Sequence, residues 1–384
     1  MTQTAGLADL IGPGERVAFA DGIGAPTSLS AELSELARER GDLRLQLGWM
    51  PVSDPGLDYS AFADVTTFMP GWGVRGAMSD RLVRGLIVRL SAVPALVHGP
   101  LRPDVLVVSL VPRPDGRLAF GTEVSWMQSA IDAGARVVAV LAHGTPDCSA
   151  GPGLDPDDVT VVGQTQDAPA PLSFTAPEDV HHAIATNVAR WVPEGCRIQF
   201  GPGALGTALL AAIDTPVHVD SGILADGVVD LDRRGLLLGR PVATYLAGGE
   251  ELLQWCAGRG VLHPLEFSHD LTRLSTGVPL ISINTAIELD EQAQVNVEGR
   301  IDAPVAGPGG HPDYSAAAVR SIGGLSIIAM PSTHRGRSTL VDSLSAPVST
   351  VGHDVDIVVN EHGSADLRGL DRRQRAAAVR KLWP

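Results

Sequence analysis

Lysine is almost absent from this chain of 384 residues, since Lys381 is the single lysine among its 29 lysine and arginine residues. A phosphate-loop lysine, a Schiff-base lysine and a kinase-type lysine are therefore not expected as catalytic groups. Any bound anion would be held by arginine, by backbone N–H groups or by a helix N-terminus.

Cysteine and excess positive charge are also scarce. The three cysteines, Cys148, Cys196 and Cys256, have no paired spacing, which argues against a disulfide framework or a zinc site and fits a reducing compartment. The net charge of −15 argues against a nucleic-acid surface. The chain also lacks an apolar run of membrane-spanning length and a signal-peptide pattern at its start, so we expect a cytoplasmic protein without membrane contact.

What the chain does contain is a series of short, nearly continuous apolar runs, typical of strands buried on both faces. They lie at 104–110, 136–142, 196–200, 216–219, 279–284, 325–330 and 355–360. Helical patterns separate them, as at 28–40 and 177–192. This alternation predicts an α/β fold with mostly parallel sheets.

A stretch rich in proline, alanine and threonine, "GQTQDAPAPLSFTAPED" at 163–179, indicates a linker. We predict an N-terminal α/β domain over 1–165, a linker over 166–180 and a C-terminal α/β domain over 181–384.

The two halves are similar to each other. "GERVAFADGIGAPTSL" at 14–29 can be laid on "GCRIQFGPGALGTALL" at 195–210, and with two residues skipped after the strand Gly22 falls on Gly201 and Gly24 on Gly203. Each copy reads as a strand, a G-x-G turn and a helix, so duplicated domains are predicted, with coincidence between two common turns as the alternative. Such a turn lets the backbone come close to a phosphate or to the oxyanion of a thioester under attack. Alternatively, it is only a tight connection between a strand and a helix, with no ligand.

The second turn also matches a dinucleotide fingerprint. Gly201, Gly203 and Gly206 give G-x-G-x-x-G, and Asp220 follows Gly201 by 19 residues, where an acid would bind a ribose hydroxyl. A nicotinamide or flavin site is therefore an alternative, although the motif lies in mid-chain and its duplicate has Pro26 and lacks the third glycine.

Several ordered motifs carry a family resemblance. They are "DGVVDLDRRGLLLG" from Asp226, "ISINTAIELDEQAQVN" (281–296), "GPGGHPDYSAAAVRSIGGLSIIAMPST" (307–333) and "VVNEHGSADLRG" (358–369). Together they resemble the acetyl-CoA hydrolase/transferase family, which includes 4-hydroxybutyrate CoA-transferases of the class I CoA-transferase fold. The resemblance implies two similar open-sheet α/β domains with the site at their junction.

The family mechanism implied by this resemblance uses a glutamate that attacks an acyl-CoA thioester and becomes a glutamyl-CoA thioester. That glutamate usually stands four residues before the Asp-Gly of "DGVVDL", in a His-Ser-Glu turn. Here Asp220 and Ser221 take the first two positions, and Gly222 takes the position of the nucleophile.

Three acids are candidates to act instead. Asp220 and Glu361 are the predicted catalytic residues, since hydrolysis needs only a base that activates water. Asp220 could instead be a strand-end carboxylate that accepts from local backbone N–H groups. Glu361 could instead be a structural carboxylate paired with an arginine. Glu123 follows a glycine turn and either faces the cleft or, as we expect, is a solvated loop acid.

We therefore predict an acyl-CoA-binding enzyme that hydrolyses a CoA thioester or transfers its CoA to a carboxylate, without the usual glutamyl-CoA intermediate. The alternatives are a non-catalytic CoA-binding protein and a dinucleotide-binding oxidoreductase. The expected partners are an acyl-CoA, in which CoA is part of the substrate, and a small carboxylate acceptor. A homodimer is possible. We expect no metal and no tightly bound cofactor. The predicted CoA- and substrate-binding residues are Gly22, Gly24, Gly201, Pro202, Gly203, Ala204, Leu205, Gly309, Gly310, Arg335 and Gly363.

Overall fold

The computed structural model describes residues 6–300 and 303–383. The chain forms two compact units: the first comprises Met1–Leu172 and Thr244–Glu266, and the second comprises Ser173–Ala243 and Phe267–Pro384. The first change of unit, after Leu172, lies inside the predicted linker. The return of 244–266 to the first unit differs from the predicted boundaries, which place that segment in the C-terminal domain.

Tertiary contacts explain this return. The backbone N–H of Val124 donates to the carbonyl of Thr244 at 3.0 Å, and the Tyr245 hydroxyl donates to the Asp21 carboxylate at 2.6 Å. Tyr245 is only 1% exposed. Burial of a large aromatic side chain with a satisfied hydroxyl stabilises the segment in the first unit.

The strands are short. Those before residue 170 are β1 (Arg16–Phe19), β2 (Arg44–Leu47), β3 (Asp64–Thr67), β4 (Arg84–Gly85), β5 (Val105–Pro112), β6 (Leu118–Ala119), β7 (Arg136–Ala142) and β8 (Val159–Thr165). Those after it are β9 (Arg197–Phe200), β10 (His218–Val219), β11 (Ile223–Leu224), β12 (Tyr245–Leu246), β13 (Leu280–Asn284), β14 (Glu288–Asp290), β15 (Val295–Asn296), β16 (Gly299–Arg300), β17 (Ala303–Pro304), β18 (Leu325–Ala329), β19 (Thr333–His334), β20 (Arg337–Ser338), β21 (Leu340–Val341), β22 (Ile357–Asn360) and β23 (Gly363–Asp366).

The helices alternate with these strands. They are α1 (Leu7–Leu10), α2 (Ser30–Arg40), α3 (Arg75–Ser79), α4 (Val93–Val97), α5 (Met127–Asp132), α6 (Asp179–Ala189), α7 (Ala204–Ala212), α8 (Gly227–Arg233), α9 (Glu250–Cys256), α10 (Leu265–Ser268), α11 (Leu271–Ser275), α12 (His311–Arg320) and α13 (Arg372–Arg380). No described helix is both long and apolar enough to cross a membrane.

Each unit contains its own sheet, and the central parallel strands of the two sheets are arranged in the same way. In the first unit the order is β4-β3-β2-β1-β5-β7-β8, with β6 beside β5, and in the second it is β10-β9-β13-β18-β22-β23. Five neighbouring strands match in order and in parallel direction, β2-β1-β5-β7-β8 with β10-β9-β13-β18-β22. The prediction of two similar open-sheet α/β domains is therefore confirmed.

The central strands show why the apolar runs predicted this fold. Every residue of β13 and of β18 is buried, as is expected of parallel strands covered on both faces. Parallel strands place their carboxyl ends at one edge of a sheet, where ligands of open α/β sheets bind. The two G-x-G turns follow β1 and β9, at these carboxyl ends.

Candidate active site

The glycine turn after β9 leaves open space beside its backbone. A β-carbon added to Gly201 or Gly203 would have no atom within 4 Å, and Gly203 has a φ of +119°, which requires glycine. At Gly206 the added carbon would lie 2.1 Å from the Gly201 carbonyl oxygen. The third glycine therefore packs α7 against the turn, while the segment Gly201 to Leu205 remains accessible.

The glycine turn after β1 is filled by a side chain of the protein itself. A β-carbon on Gly22 would lie 2.3 Å from Glu123 Oε2, and one on Gly24 would lie 2.5 Å from Glu123 Oε1. Glu123 is 5% exposed, so the expectation of a solvated loop acid is wrong. Because Gly22 and Gly24 have no side chains, there is space beside them for the Glu123 carboxyl group.

Asp220, at the end of β10, is held by two arginines. Its Oδ2 accepts from Arg273 Nη1 at 2.7 Å and from Arg197 Nη1 at 3.1 Å, and its Oδ1 accepts from Arg273 Nη2 at 2.9 Å. The residue is 3% exposed. These contacts are to arginine rather than to backbone N–H groups, and they favour a structural role. In the dinucleotide hypothesis Asp220 would bind a ribose hydroxyl, but both of its oxygens already accept hydrogen bonds from arginine.

Gly222 lies against a buried histidine that the sequence analysis did not identify. A β-carbon on Gly222 would lie 3.4 Å from His269 Nε2, and one on Gly310 would lie 2.5 Å from the same nitrogen. His269 Nδ1 is 2.9 Å from Ser268 Oγ, its ring packs edge-on against Tyr314, and its Nε2 has no hydrogen-bond partner. No spacing signal distinguishes His269 in "EFSHDL", because the contact joins distant parts of the second unit.

Burial determines the charge of this histidine. It lowers the pKa of His269 to about 3, and the positive charge of Arg273 lowers it further. The imidazole is therefore neutral at pH 7. The position that the family resemblance assigns to a nucleophile thus has a neutral histidine beside it, and the nearest acid in sequence, Asp220, is engaged by arginine.

Glu361 follows β22 and is bound by a serine. Its Oε2 accepts from the Ser332 N–H at 2.9 Å, its Oε1 accepts from Ser332 Oγ at 2.5 Å, and His362 Nε2 lies 3.6 Å from Oε1. Burial raises the pKa of Glu361, but the hydrogen bonds from Ser332 outweigh it and the net pKa is lowered. The carboxylate is therefore ionised at neutral pH, with a serine as its partner rather than the arginine of the structural alternative.

The other predicted binding residues lie in turns or at the ends of elements of the second unit. Gly309 and Gly363 have φ values of +57° and +148°, and Gly310 begins α12 beside His269. Arg335 is exposed between β19 and β20. The structure thus brings Gly222 and Gly310 against His269, and Asp220 against Arg273, whereas Arg335 lies on its own hairpin.

A cavity of about 550 Å³ in the second unit borders the "DGVVDL" motif. Its wall includes Phe174, Thr207, Ala211, Asp226, Asp230 and Arg233.

Within residues 6–300 and 303–383, no three His, Cys, Asp or Glu side chains are grouped as metal ligands would be.

Comparison with known proteins identifies similar chains. Residues 251–382 match the family model "Acetyl-CoA hydrolase/transferase C-terminal domain". The 4-hydroxybutyrate coenzyme A transferase of Clostridium kluyveri is 26% identical over 305 residues, which are 75% of this chain and 71% of that protein.

Solved structures show the same fold. RipA from Yersinia pestis superposes with a TM-score of 0.88 at 21% identity, over 99% of this chain and 94% of RipA. The 4-hydroxybutyrate CoA-transferase of Porphyromonas gingivalis superposes with a TM-score of 0.77 at 24% identity, again over 99% and 94% of the two chains. Both similarities extend through the two α/β units.

Proposed function

We propose that this chain, whose residues 251–382 match the acetyl-CoA hydrolase/transferase C-terminal domain, is an enzyme that acts on a CoA thioester. The reaction is hydrolysis of the thioester or transfer of its CoA to a carboxylate. The CoA is a moiety of the substrate, and the proposed CoA contacts are the open Gly201–Leu205 turn and the exposed Arg335 guanidinium, which suits a phosphate.

We further propose that the reaction does not pass through a glutamyl-CoA intermediate at position 222, and the surroundings of Gly222 support this. Glycine supplies no carboxylate, and the neighbouring groups are His269 and Tyr314. Asp220 has both oxygens engaged by arginine. Hydrolysis needs one base that activates water, whereas covalent transfer needs a free carboxylate nucleophile, so hydrolysis is the first choice.

Thiol release tests this proposal. The protein is incubated with acetyl-CoA and a chromogenic thiol reagent, with and without acetate or succinate as the CoA acceptor. Hydrolysis predicts thiol release without an acceptor and no covalent CoA adduct in the intact-protein mass spectrum. An adduct on a glutamate would instead support covalent transfer, and acetyl-CoA binding without turnover would support the non-catalytic alternative.

A further inference from the structure

A serine, a glutamate and a histidine meet at the carboxyl edge of the sheet in the second unit. Ser332 follows β18, and Glu361 and His362 follow β22, which is the parallel neighbour of β18. Ligands of open α/β sheets bind at this edge. The Ser332 group, which consists of these three residues, therefore lies where the fold tends to place reacting side chains, and all of it belongs to one unit.

The hydroxyl of Ser332 contacts both other members of the group. Ser332 Oγ donates to Glu361 Oε1 at 2.5 Å, and His362 Nε2 lies 3.3 Å from the same Oγ and 3.6 Å from Glu361 Oε1. A nucleophilic hydroxyl needs a base within hydrogen-bond reach, and the base needs a third group beside it. The three distances meet this requirement, because such contacts are often slightly long before a substrate binds.

Backbone hydrogen bonds fix the position of this serine. The Ser332 N–H donates to Glu361 Oε2 at 2.9 Å, so one residue binds both oxygens of the carboxylate. The Ser332 carbonyl accepts from Trp383 Nε1 at 2.9 Å and from the Thr339 N–H at 3.1 Å. Groups that are ordered before a substrate arrives reach the reacting geometry at a lower entropic cost.

The Ser332 group lies at the surface of the unit. The side chains of His362 and Glu361 are 46% and 20% exposed, and Ser332 is 5% exposed. A β-carbon added to the next residue, Gly363, would lie as far as 4.0 Å from Leu382 Cδ2, so this turn leaves open space. The ionised carboxylate of Glu361 beside an accessible imidazole would stabilise the imidazolium that forms when the histidine takes a proton.

Two other contacts between a hydroxyl and an imidazole in the second unit do not combine these features. Ser268 Oγ lies 2.9 Å from His269 Nδ1, but both residues are 0% exposed. Thr350 Oγ1 lies 2.7 Å from His311 Nδ1, but the other nitrogen of His311 faces a backbone carbonyl oxygen, and burial lowers the pKa of His311 to about 4, which makes it a weak base. Of the three contacts, that of Ser332 joins exposure with a carboxylate.

We infer that Ser332 is the nucleophile of the thioester reaction, with His362 as its base and Glu361 as the carboxylate that stabilises the imidazolium. The inference rests on the proposed function and deepens it. It assigns the covalent step to a hydroxyl, so that the intermediate is an acyl-serine and carries no CoA. Glu361 keeps the catalytic role that the sequence predicts for it, but it acts through its charge rather than as the base.

The reaction then has two steps. The Ser332 hydroxyl turns its proton from Glu361 to His362 Nε2, and Oγ bonds to the thioester carbonyl carbon as Nε2 takes the proton. The carbon–sulfur bond breaks, and His362 gives the proton to the departing thiolate. A water molecule next gives a proton to His362 while its oxygen bonds to the acyl carbon, and Ser332 Oγ leaves with that proton. One thioester and one water give one carboxylic acid and one thiol.

Thiol release from acetyl-CoA by variants of the full chain tests the inference. Ser332→Ala removes the nucleophile and should bind acetyl-CoA but release thiol roughly 100-fold more slowly or worse. The exposed Ser364→Ala, which lies close to His362 in the sequence, is the matched control and should keep the full rate. Full activity of Ser332→Ala would overturn the inference and leave the proposed function intact.

Imidazole in the buffer separates a catalytic histidine from a structural one. His362→Asn should slow thiol release, and added imidazole should restore part of the rate, because the exposed side chain leaves a place that a free base can enter. The same imidazole should not restore Ser332→Ala, which lacks the nucleophile. A full rate in His362→Asn, or a slow rate that imidazole does not change, would contradict the role of His362 as base.

A covalent probe keeps the inference testable if a variant does not fold or the wild type releases no thiol. Phenylmethanesulfonyl fluoride sulfonylates a serine hydroxyl that a neighbouring base activates, and fluoride leaves. Peptide mass spectrometry of the wild type should find the sulfonyl group on Ser332, and prior labelling should abolish thiol release. Labelling of Ser332 without thiol release from any acyl-CoA would support the activated serine and overturn the proposed function. An unlabelled Ser332 would overturn the inference.

Discussion

The unpartnered Nε2 of His269 lies beside Gly222, so that a β-carbon on this glycine would lie 3.4 Å from the nitrogen. The glycine thus leaves room for the imidazole at the position where the family resemblance expects a glutamate. A β-carbon at 3.4 Å is close to ordinary van der Waals contact, so a β-carbon fits at this position without displacing His269.

Gly222→Glu should therefore fold and acquire a covalent intermediate. With acetyl-CoA, the restored glutamate should form a glutamyl-CoA thioester, seen as a gain of the CoA moiety in the intact-protein mass spectrum. Gly222→Gln has the same size without the carboxylate and should show no gain. We expect both variants to lose about 1–3 kcal/mol of stability through overpacking against His269. An adduct in both variants, or in the wild type, would contradict the reasoning.

His269 should make the protein sensitive to acid. Because burial lowers its pKa to about 3, below the value of an unfolded histidine, its stabilisation is present above about pH 6.5 and is lost as the pH falls toward 3. His269→Asn should flatten the dependence of the free energy of unfolding on pH, by about 1.4 kcal/mol per pH unit between pH 4 and 6. The exposed His182→Asn should leave that slope unchanged in the same chemical denaturation series.

The buried ion pair of Asp220 should be more important for stability than an exposed one. Arg273→Gln removes a guanidinium that binds both oxygens of a carboxylate which is 3% exposed, and it should cost about 3–5 kcal/mol of unfolding free energy. Arg38→Gln removes a comparable partner of Asp58 at the surface, where the side chains are 54% and 41% exposed, and should cost about 0–1 kcal/mol. Similar denaturation midpoints for the two variants would argue against a structural role of Asp220.

Gly22 and Glu123 should be energetically coupled. Gly22→Ala places a methyl group 2.3 Å from Glu123 Oε2 and also strains a φ of +79°. In a Glu123→Ala background only the strain remains, so a double-mutant cycle should give a coupling of about 1–3 kcal/mol.

Gly41 offers the control for this cycle. Its φ is +74°, but a β-carbon there meets no atom within 4 Å. Gly41→Ala should therefore cost the same strain in both backgrounds, with a coupling near zero. Equal couplings for Gly22 and Gly41 would mean that the carboxyl group does not occupy the turn.

Much of the fold could be predicted because its signals are local. The runs at 136–142 and 279–284 became β7 and β13 with little change in their bounds, since parallel strands buried on both faces need continuous apolar sequence. The G-x-G turns likewise follow their strands as predicted. The membership of 244–266 in the first unit had no local signal, because it depends on the contact of Tyr245 with Asp21, far away in sequence.

By itself, the sequence determined the α/β fold, its duplication, the family resemblance and the absence of a glutamate at position 222. These follow from apolar periodicity and from residue identity. Only the tertiary structure decided which polar groups are buried and what they contact. Glu123 is buried because glycines about 100 residues earlier leave space for it, and Asp220 is held by Arg197 and Arg273 from two other segments. The ionisation of an acid depends on its solvation and on nearby charges, which only the folded chain supplies.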